Sequence, residues 1–152
     1  MASAADGDDV RISSAKAGDR DACMRLLAML GGPNGRAIPD GVQATFDALI
    51  DGARGEILVA TKAGAVVGMA AQSFNLALRY GGEYAQLEEL IVDPAARGLN
   101  LGGRLLKAAI ASARARGAAE YGLYLVEWTE SNRPFYEKYG LQFVGSEMRM
   151  RL

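Results

Sequence analysis

Short apolar runs bounded by turn residues dominate the middle of the chain. "EILVAT" (Glu56–Thr61) and "VVGMAAQSF" (Val66–Phe74) flank the tight turn "KAGA" and predict a hairpin. After the turn "RYGG" (Arg79–Gly82), "YAQLEELIV" (Tyr84–Val92) predicts a third strand in the series. Shorter strands are expected at Val10–Ala15 and Tyr121–Trp128, and a last one in "LQFVGSEMRMRL", whose alternation allows a bulge at Gly145.

Elsewhere the apolar spacing is helical. "GDRDACMRLLAML" carries a stripe of Ala22, Leu26, Met29 and Leu30, with Asp19 near the N-cap. "GGPNGR" then breaks the chain. A weaker helix opens at Pro39 or Asp40, with Val42, Phe46, Leu49 and Ile50 on one face. A long helix runs from about Leu101 to Arg116 and stops at Gly117, a natural left-handed terminator. "SNRPFYEKYG" is a short helix capped by Ser131 or Asn132 and closed by Gly140. The order β-α-α-β-β-β-α-β-α-β predicts an α+β fold: a sheet of mixed direction with helices on its faces.

Composition narrows the picture. The chain of 152 residues suits a single domain, expected over residues 10–152 behind a flexible tail at 1–9. A net charge of −1 with interspersed signs gives no reason to expect nucleic acid or a membrane surface. The start "MASAADGDD" lacks the charged and apolar regions of a signal peptide, and no apolar run nears the ~18 residues of a membrane span. A cytoplasmic protein is expected. With one cysteine, Cys23, no internal disulfide can form; on its helical stripe Cys23 reads as core. With no histidine, Ser-His-Asp and Cys-His catalysis are excluded and the commonest zinc ligand is missing, so no metal site is expected. A general base would have to be a carboxylate, lysine, tyrosine or water.

The chemistry concentrates in "VDPAARGLNLGGRLL" (Val92–Leu106), where a strand hands over to a helix through several permissive backbone positions. A P-loop fails here, because Arg104 and Leu105 stand where the lysine and the magnesium-binding hydroxyl should be. A dinucleotide fingerprint fails too, because Asn100 would obstruct the pyrophosphate and the upstream hairpins do not build a doubly wound sheet. An anionic arm on the free amides of the Leu101 helix, flanked by Arg97 and Arg104, fits better; an ordinary strand-to-helix turn is the bland alternative.

These residues resemble the acyl-CoA-binding signature of the GNAT superfamily of N-acyltransferases. Arg97, Asn100 and Gly102 fill the places of its Arg/Gln-x-x-Gly-x-Gly/Ala pattern, with Asn100 departing from the usual glycine. The loop "RGLNLG" also resembles that of aminoalkylphosphonate acetyltransferases, and glucosamine-phosphate acetyltransferases carry an amide at the place of Asn100 too. "NRPFYEKYGLQF" (Asn132–Phe143) resembles the family's second motif, with compressed spacing and Leu141 in place of the usual Phe.

The resemblance implies an acyl-CoA N-acyltransferase fold: one mostly antiparallel sheet with about four helices, splayed between the strands at Tyr84–Val92 and Tyr121–Trp128. It implies acetyl-CoA as acyl donor and transfer to a primary amine by direct attack. The pantetheine arm would pair with Leu90, Ile91 and Val92. The pyrophosphate would rest on Arg97, Gly98, Leu99, Asn100, Leu101, Gly102, Gly103 and Arg104, with Asn132, Phe135 and Tyr136 beside the cofactor. A lysine-type amine with pKa ~10.4 is neutral in only about one molecule in ~2,500 at pH 7, so a base has work to do. The acids available are Glu88, Glu89 and Glu127, with Glu88 and Glu89 expected on opposite faces of the strand. Glu88 is favoured as base, with Glu127 the alternative on the neighbouring strand. Tyr136 matches the family's acid for the departing thiolate; Tyr139 is the weaker candidate. Trp128 is either core or acceptor border, and Arg79 and Tyr80 are candidates for the acceptor pocket. A non-catalytic acyl-CoA sensor, a peptide-amine acetyltransferase and a homodimer remain open.

Overall fold

The computed structural model describes residues 9–30 and 37–152. The expected breaker at 31–36 and nearly all of the expected tail lie outside the described residues. In chain order the elements are β1 (Val10–Ser14), α1 (Arg20–Leu27), α2 (Val42–Ile50), β2 (Gly55–Lys62), β3 (Ala65–Ala77), β4 (Gly82–Val92), α3 (Leu101–Arg116), β5 (Tyr121–Leu123) and α4 (Arg133–Glu137).

The sheet follows the chain, β1-β2-β3-β4-β5. All pairs are antiparallel except β4 with β5. The reason is connectivity. The β2–β3 link is a two-residue turn in which Ala63 (φ 48°) and Gly64 (φ 78°) are both left-handed, a hairpin geometry. The β4–β5 link contains α3, which carries the chain back to start β5 in the same direction.

Each sheet face buries its own core. On one face α1 and α2 contribute Cys23, Leu26 and Phe46 against Ile57, Val59, Met69, Ala71 and Ile91. On the other, Leu105, Leu106 and Ala109 of α3 pack on Leu58, Ala60, Ala70 and Leu87, and α4 brings Phe135 and Tyr136 to the same cluster. The small side chains of α3 let this longest helix lie close to the strands. Cys23 is fully buried, as its stripe predicts, whereas Met29 of the same expected stripe is 44% exposed, because α1 ends at Leu27.

Two expectations need correcting. The fifth strand covers Tyr121–Leu123 only, and the chain then leaves the sheet for a 3-10 segment at Glu127–Asn132. The last strand does not form: residues 141–152 carry no regular structure, and Met148, Met150 and Leu152 are largely exposed. The alternation is present, but a three-residue edge strand offers too little backbone to template another.

Candidate functional site

The site begins with an irregularity in β4. Its pairing with β3 runs Ala70↔Leu90 and Ala71↔Glu89, then steps to Gln72↔Leu87, leaving Glu88 as the extra residue of a bulge. A bulge bends a strand and resets its alternation. Leu87 and Leu90 therefore both belong to the α3-side core although they are three apart, while Ile91 faces α1 and α2. Glu88 and Glu89 consequently share a face, and the expectation that they lie on opposite faces fails for this reason.

The bulge also marks where β4 and β5 part. Their parallel pairing covers Ala85↔Tyr121, Gln86↔Gly122 and Leu87↔Leu123 and then stops. Among the described residues no strand adjoins β4 on the β5 side from Glu88 to Val92. The result is a wedge whose one wall is the edge of Leu90, Ile91 and Val92, a ready hydrogen-bonding template for an extended ligand.

Below the wedge the chain makes the turn that the glycines and asparagine foretell. Asp93 accepts from the amide of Ala95 (3.0 Å) and from Arg25 of α1 (2.9 Å), which ties the loop to the sheet. Those two contacts hold the Asp93 carboxyl below its ordinary pKa. Pro94–Ala96 form a 3-10 turn, Arg97 is extended and exposed, and Gly98 takes φ 91°, which a side chain would resist. Asn100 (φ 51°) is the N-cap of α3, but its side chain caps nothing. The first intrahelical amide bond is Arg104 N to Asn100 O at 3.0 Å, so the amides of Leu101, Gly102 and Gly103 have no partner within the helix. Together with the helix dipole they favour an anion.

The two glycines of that turn do different things. A Cβ on Gly102 would meet only Phe135 Cζ at 3.6 Å and Val92 Cγ2 at 3.9 Å, ordinary contacts. On Gly103 it would stand 1.9 Å from Tyr139 Oη and 2.5 Å from Asn100 Oδ1. The missing side chain at Gly103 makes room for Tyr139, in the turn after α4, which donates to Asn100 Oδ1 at 3.4 Å. Arg104, expected beside the pyrophosphate, donates to the carbonyl of Val10 at 2.9 Å and so holds β1 against the helix start.

The candidate chemical groups are distributed as follows. Glu88 is exposed and accepts from Ser73 Oγ at 2.5 Å; Asn75 in turn donates to that Oγ at 2.8 Å. Sequence reading missed Ser73 and Asn75, because their relation to Glu88 depends on the bulge; the signal available was a polar run "QSFN" ending an apolar strand. Glu127 is exposed at the start of the 3-10 segment, off the strand expected to carry it. Asn132 ends that segment, exposed and without a capping hydrogen bond. Phe135 lies edge-on to both Tyr136 (5.0 Å) and Tyr139 (5.2 Å). Tyr136 is half-buried, and burial raises its phenol pKa. Trp128 is 62% exposed, so it is not core. Arg79 stacks on Tyr80 and Tyr84, at 4.7 and 5.2 Å from their ring centres. This cluster sits at the opening of β4; its nearest member, Tyr84, is four residues from Glu88 and thus roughly 13 Å away at ~3.3 Å per residue.

A cavity of about 650 Å³ lies on the outer side of β5, walled by Tyr121, Leu123, Tyr136, Tyr139 and the segment 141–147. It adjoins Tyr136 but includes no residue of β4 or of the α3 N-terminus, so it is distinct from the wedge. Among the described residues no cluster of metal-ligating side chains occurs, and no helix is long and apolar enough to cross a membrane.

Comparison with known proteins places this geometry. The chain is similar over its length to the crystal structure of a transcriptional regulator from Bacillus halodurans C-125 (TM-score 0.82, 28% identity, 94% of this chain and 99% of that one). It has the same fold as glucosamine-6-phosphate N-acetyltransferase from Arabidopsis thaliana (TM-score 0.77, 21% identity, 93% and 97%). It also shares the fold of a ribosomal-protein-alanine N-acetyltransferase from Brucella melitensis biovar Abortus 2308 (TM-score 0.76, 20% identity, 94% and 99%). No curated protein matches the sequence. The model of the acetyltransferase (GNAT) family matches residues 26–141, which takes in the bulged strand, the glycine turn, Tyr136 and Tyr139, and the chain accordingly belongs to that family of acyltransferases.

Proposed function

We propose that the protein transfers the acetyl group of acetyl-CoA to a primary amine, by direct attack of the amine on the thioester. The observation that carries this reading is the wedge opened at Leu87/Leu123 directly before a helix start with three spare amides. The pantetheine arm extends the sheet along Leu90, Ile91 and Val92. The pyrophosphate lies on the amides of Leu101, Gly102 and Gly103, with Arg97 alongside, and Gly98, Leu99 and Asn100 shape the approach. Arg104 supports that loop from behind through Val10, and Phe135 and Asn132 border the thioester arm.

Glu88 receives the proton of the incoming ammonium. Making a lysine-type amine neutral at pH 7 costs about 4.6 kcal/mol at 1.36 kcal/mol per pH unit, so a carboxylate held by Ser73 lowers a real barrier. As the amine nitrogen bonds to the acetyl carbon and the carbon–sulfur bond breaks, the phenol of Tyr136 gives its proton to the thiolate, and the surplus proton on the nitrogen then passes to the phenolate, leaving a neutral amide and restoring the phenol. Tyr136 is favoured over Tyr139, whose hydroxyl is engaged with Asn100. Glu127 remains the second carboxylate. The acceptor is a small-molecule amine on this reading.

The test is a thiol-release assay with acetyl-CoA and a panel of amines that includes aminoalkylphosphonates, amino sugars, polyamines and peptides, beside a thermal-shift titration. Acetyl-CoA at ~100 times its Kd adds ~2.7 kcal/mol to stability. Release of CoA with at least one amine supports the reading. Binding without turnover on any amine would favour an acyl-CoA sensor, and a flat titration would remove the donor assignment.

A further inference from the structure

Tyr121 opens β5, paired with Ala85, and its side chain faces the cluster beneath α3 and α4. Its hydroxyl is buried and has no hydrogen-bond partner. A buried hydroxyl left unpaired is costly, and its persistence calls for an explanation. The nearby carboxylate does not supply one. Glu56 already accepts from Gln72 Nε2 (2.9 Å) and Ser112 Oγ (2.5 Å) on one oxygen, and from Ser14 Oγ (3.5 Å) on the other.

What Tyr121 does share is its neighbourhood with Tyr136. Both rings belong to the same cluster, around Leu87, Leu105 and Leu106, and both line the cavity beside β5. The charged groups on that cavity's wall are Arg114, Glu120, Glu130, Arg133, Glu137 and Glu147, of which Glu130 is paired with Arg133, Glu120 with Tyr80 and Glu147 with Arg149. Burial raises the Tyr121 phenol pKa, and the nearby Tyr136 and Glu56 push it further in the same direction. Tyr121 therefore stays protonated and remains a donor across any working pH.

We infer that Tyr121 is a positioning residue for the acid: its hydroxyl donates a hydrogen bond to the Tyr136 oxygen as that oxygen becomes a phenolate. This rests on Tyr136 being the group that protonates the thiolate. The proton on Tyr136 leaves for the sulfur, the one on Tyr121 stays where it is, and the orphaned donor is satisfied at the moment charge appears. A donor aimed at developing charge accelerates the step without tightening substrate binding. The need is real, because burial makes Tyr136 a weaker acid than free tyrosine, while the thiol it must supply has a pKa near ~8.5 by analogy with cysteine.

The experiment compares Tyr121→Phe, Tyr136→Phe and the double variant in the full chain, with acetyl-CoA affinity measured alongside kcat. Tyr121→Phe should lower kcat by about 10–100-fold, the worth of one hydrogen bond to an ionised group, and leave the acetyl-CoA Kd unchanged. The double variant should be no slower than Tyr136→Phe alone. Replacing Tyr136 by the more acidic 3-fluorotyrosine should restore most of the activity lost in Tyr121→Phe, which a purely structural defect would not allow. Additive losses, or no fluorotyrosine rescue, would overturn the inference while leaving Tyr136 as the acid. Full activity in Tyr136→Phe would instead remove the acid assignment, and this inference with it.

Discussion

Adding one methyl group at each of two adjacent glycines separates packing from ligand recognition. Gly102→Ala and Gly103→Ala make the same chemical change in the first turn of α3. Exchanging Gly for Ala in a helix gains up to about 1 kcal/mol from backbone propensity. At Gly102 little opposes that gain, because the nearest atoms to the new Cβ are 3.6 and 3.9 Å away. At Gly103 the new Cβ would lie 1.9 Å from Tyr139 Oη and 2.8 Å from its Cζ, so the whole ring must shift along with Asn100. Overpacking of this kind costs typically 1–3 kcal/mol. A 1.9 Å approach belongs in the upper part of that range, about 2–3 kcal/mol, so set against a propensity gain of about 1 kcal/mol the net loss is about 1–2 kcal/mol. For a domain of this size 1 kcal/mol moves Tm by about 2–4 °C. Gly103→Ala should therefore melt roughly 2–8 °C below wild type, and Gly102→Ala at or slightly above it, by circular dichroism. Adding Tyr139→Phe to Gly103→Ala removes the closest contact and should recover part of the loss non-additively. Equal melting temperatures for the two alanine variants would refute the claim that Gly103 is reserved for Tyr139.

Gly102→Asp should fold, since a carboxylate near a helix N-terminus is itself favourable, yet its acetyl-CoA affinity should fall at least 100-fold by calorimetry as the pyrophosphate meets a like charge. Glu88→Gln should lower kcat/KM most at low pH and recover as pH approaches the amine's own pKa, where the substrate is already neutral; Glu127→Gln measured in parallel identifies which carboxylate acts, and wild-type profiles in both would leave water as the base. Cys23 should resist thiol reagents in the native state, because burial, aided by Asp19, pushes its thiol up to about 11 from 9.0. Its folded pKa lies above the unfolded one, so its contribution is full below pH ~9 and is lost as pH rises to ~11. The loss is about 3 kcal/mol at 1.36 kcal/mol per unit, and denaturant titrations of Cys23→Ala should lack that slope.

The sequence by itself determined those features that depend on neighbours along the chain. The bounds of α3 are readable because its stripe of Leu105, Ala109 and Ala113 repeats at helical spacing and Gly117 stops it. The left-handed turn before it is readable because Gly98 and Asn100 tolerate that backbone. The hairpin at Ala63–Gly64 and the burial of Cys23 follow from equally local rules. What only the tertiary structure decided involves partners far apart in the chain. The bulge at Glu88 is a mismatch between β3 and β4, and neither strand carries it alone. It set the shared face of Glu88 and Glu89, brought Ser73 to Glu88, and coincides with the point where β5 stops pairing. The alternation in 141–152 promised a strand, but a strand needs an edge to pair with, and β5 ends at Leu123. Arg104 and Gly103 stand in one motif, but nothing local shows that the Arg104 side chain reaches back to Val10 or that Gly103 makes room for Tyr139. Periodicity and turn chemistry act over a few residues and are written in order along the chain; register, bulges and helix seating are set by surfaces that meet only after the chain has closed on itself.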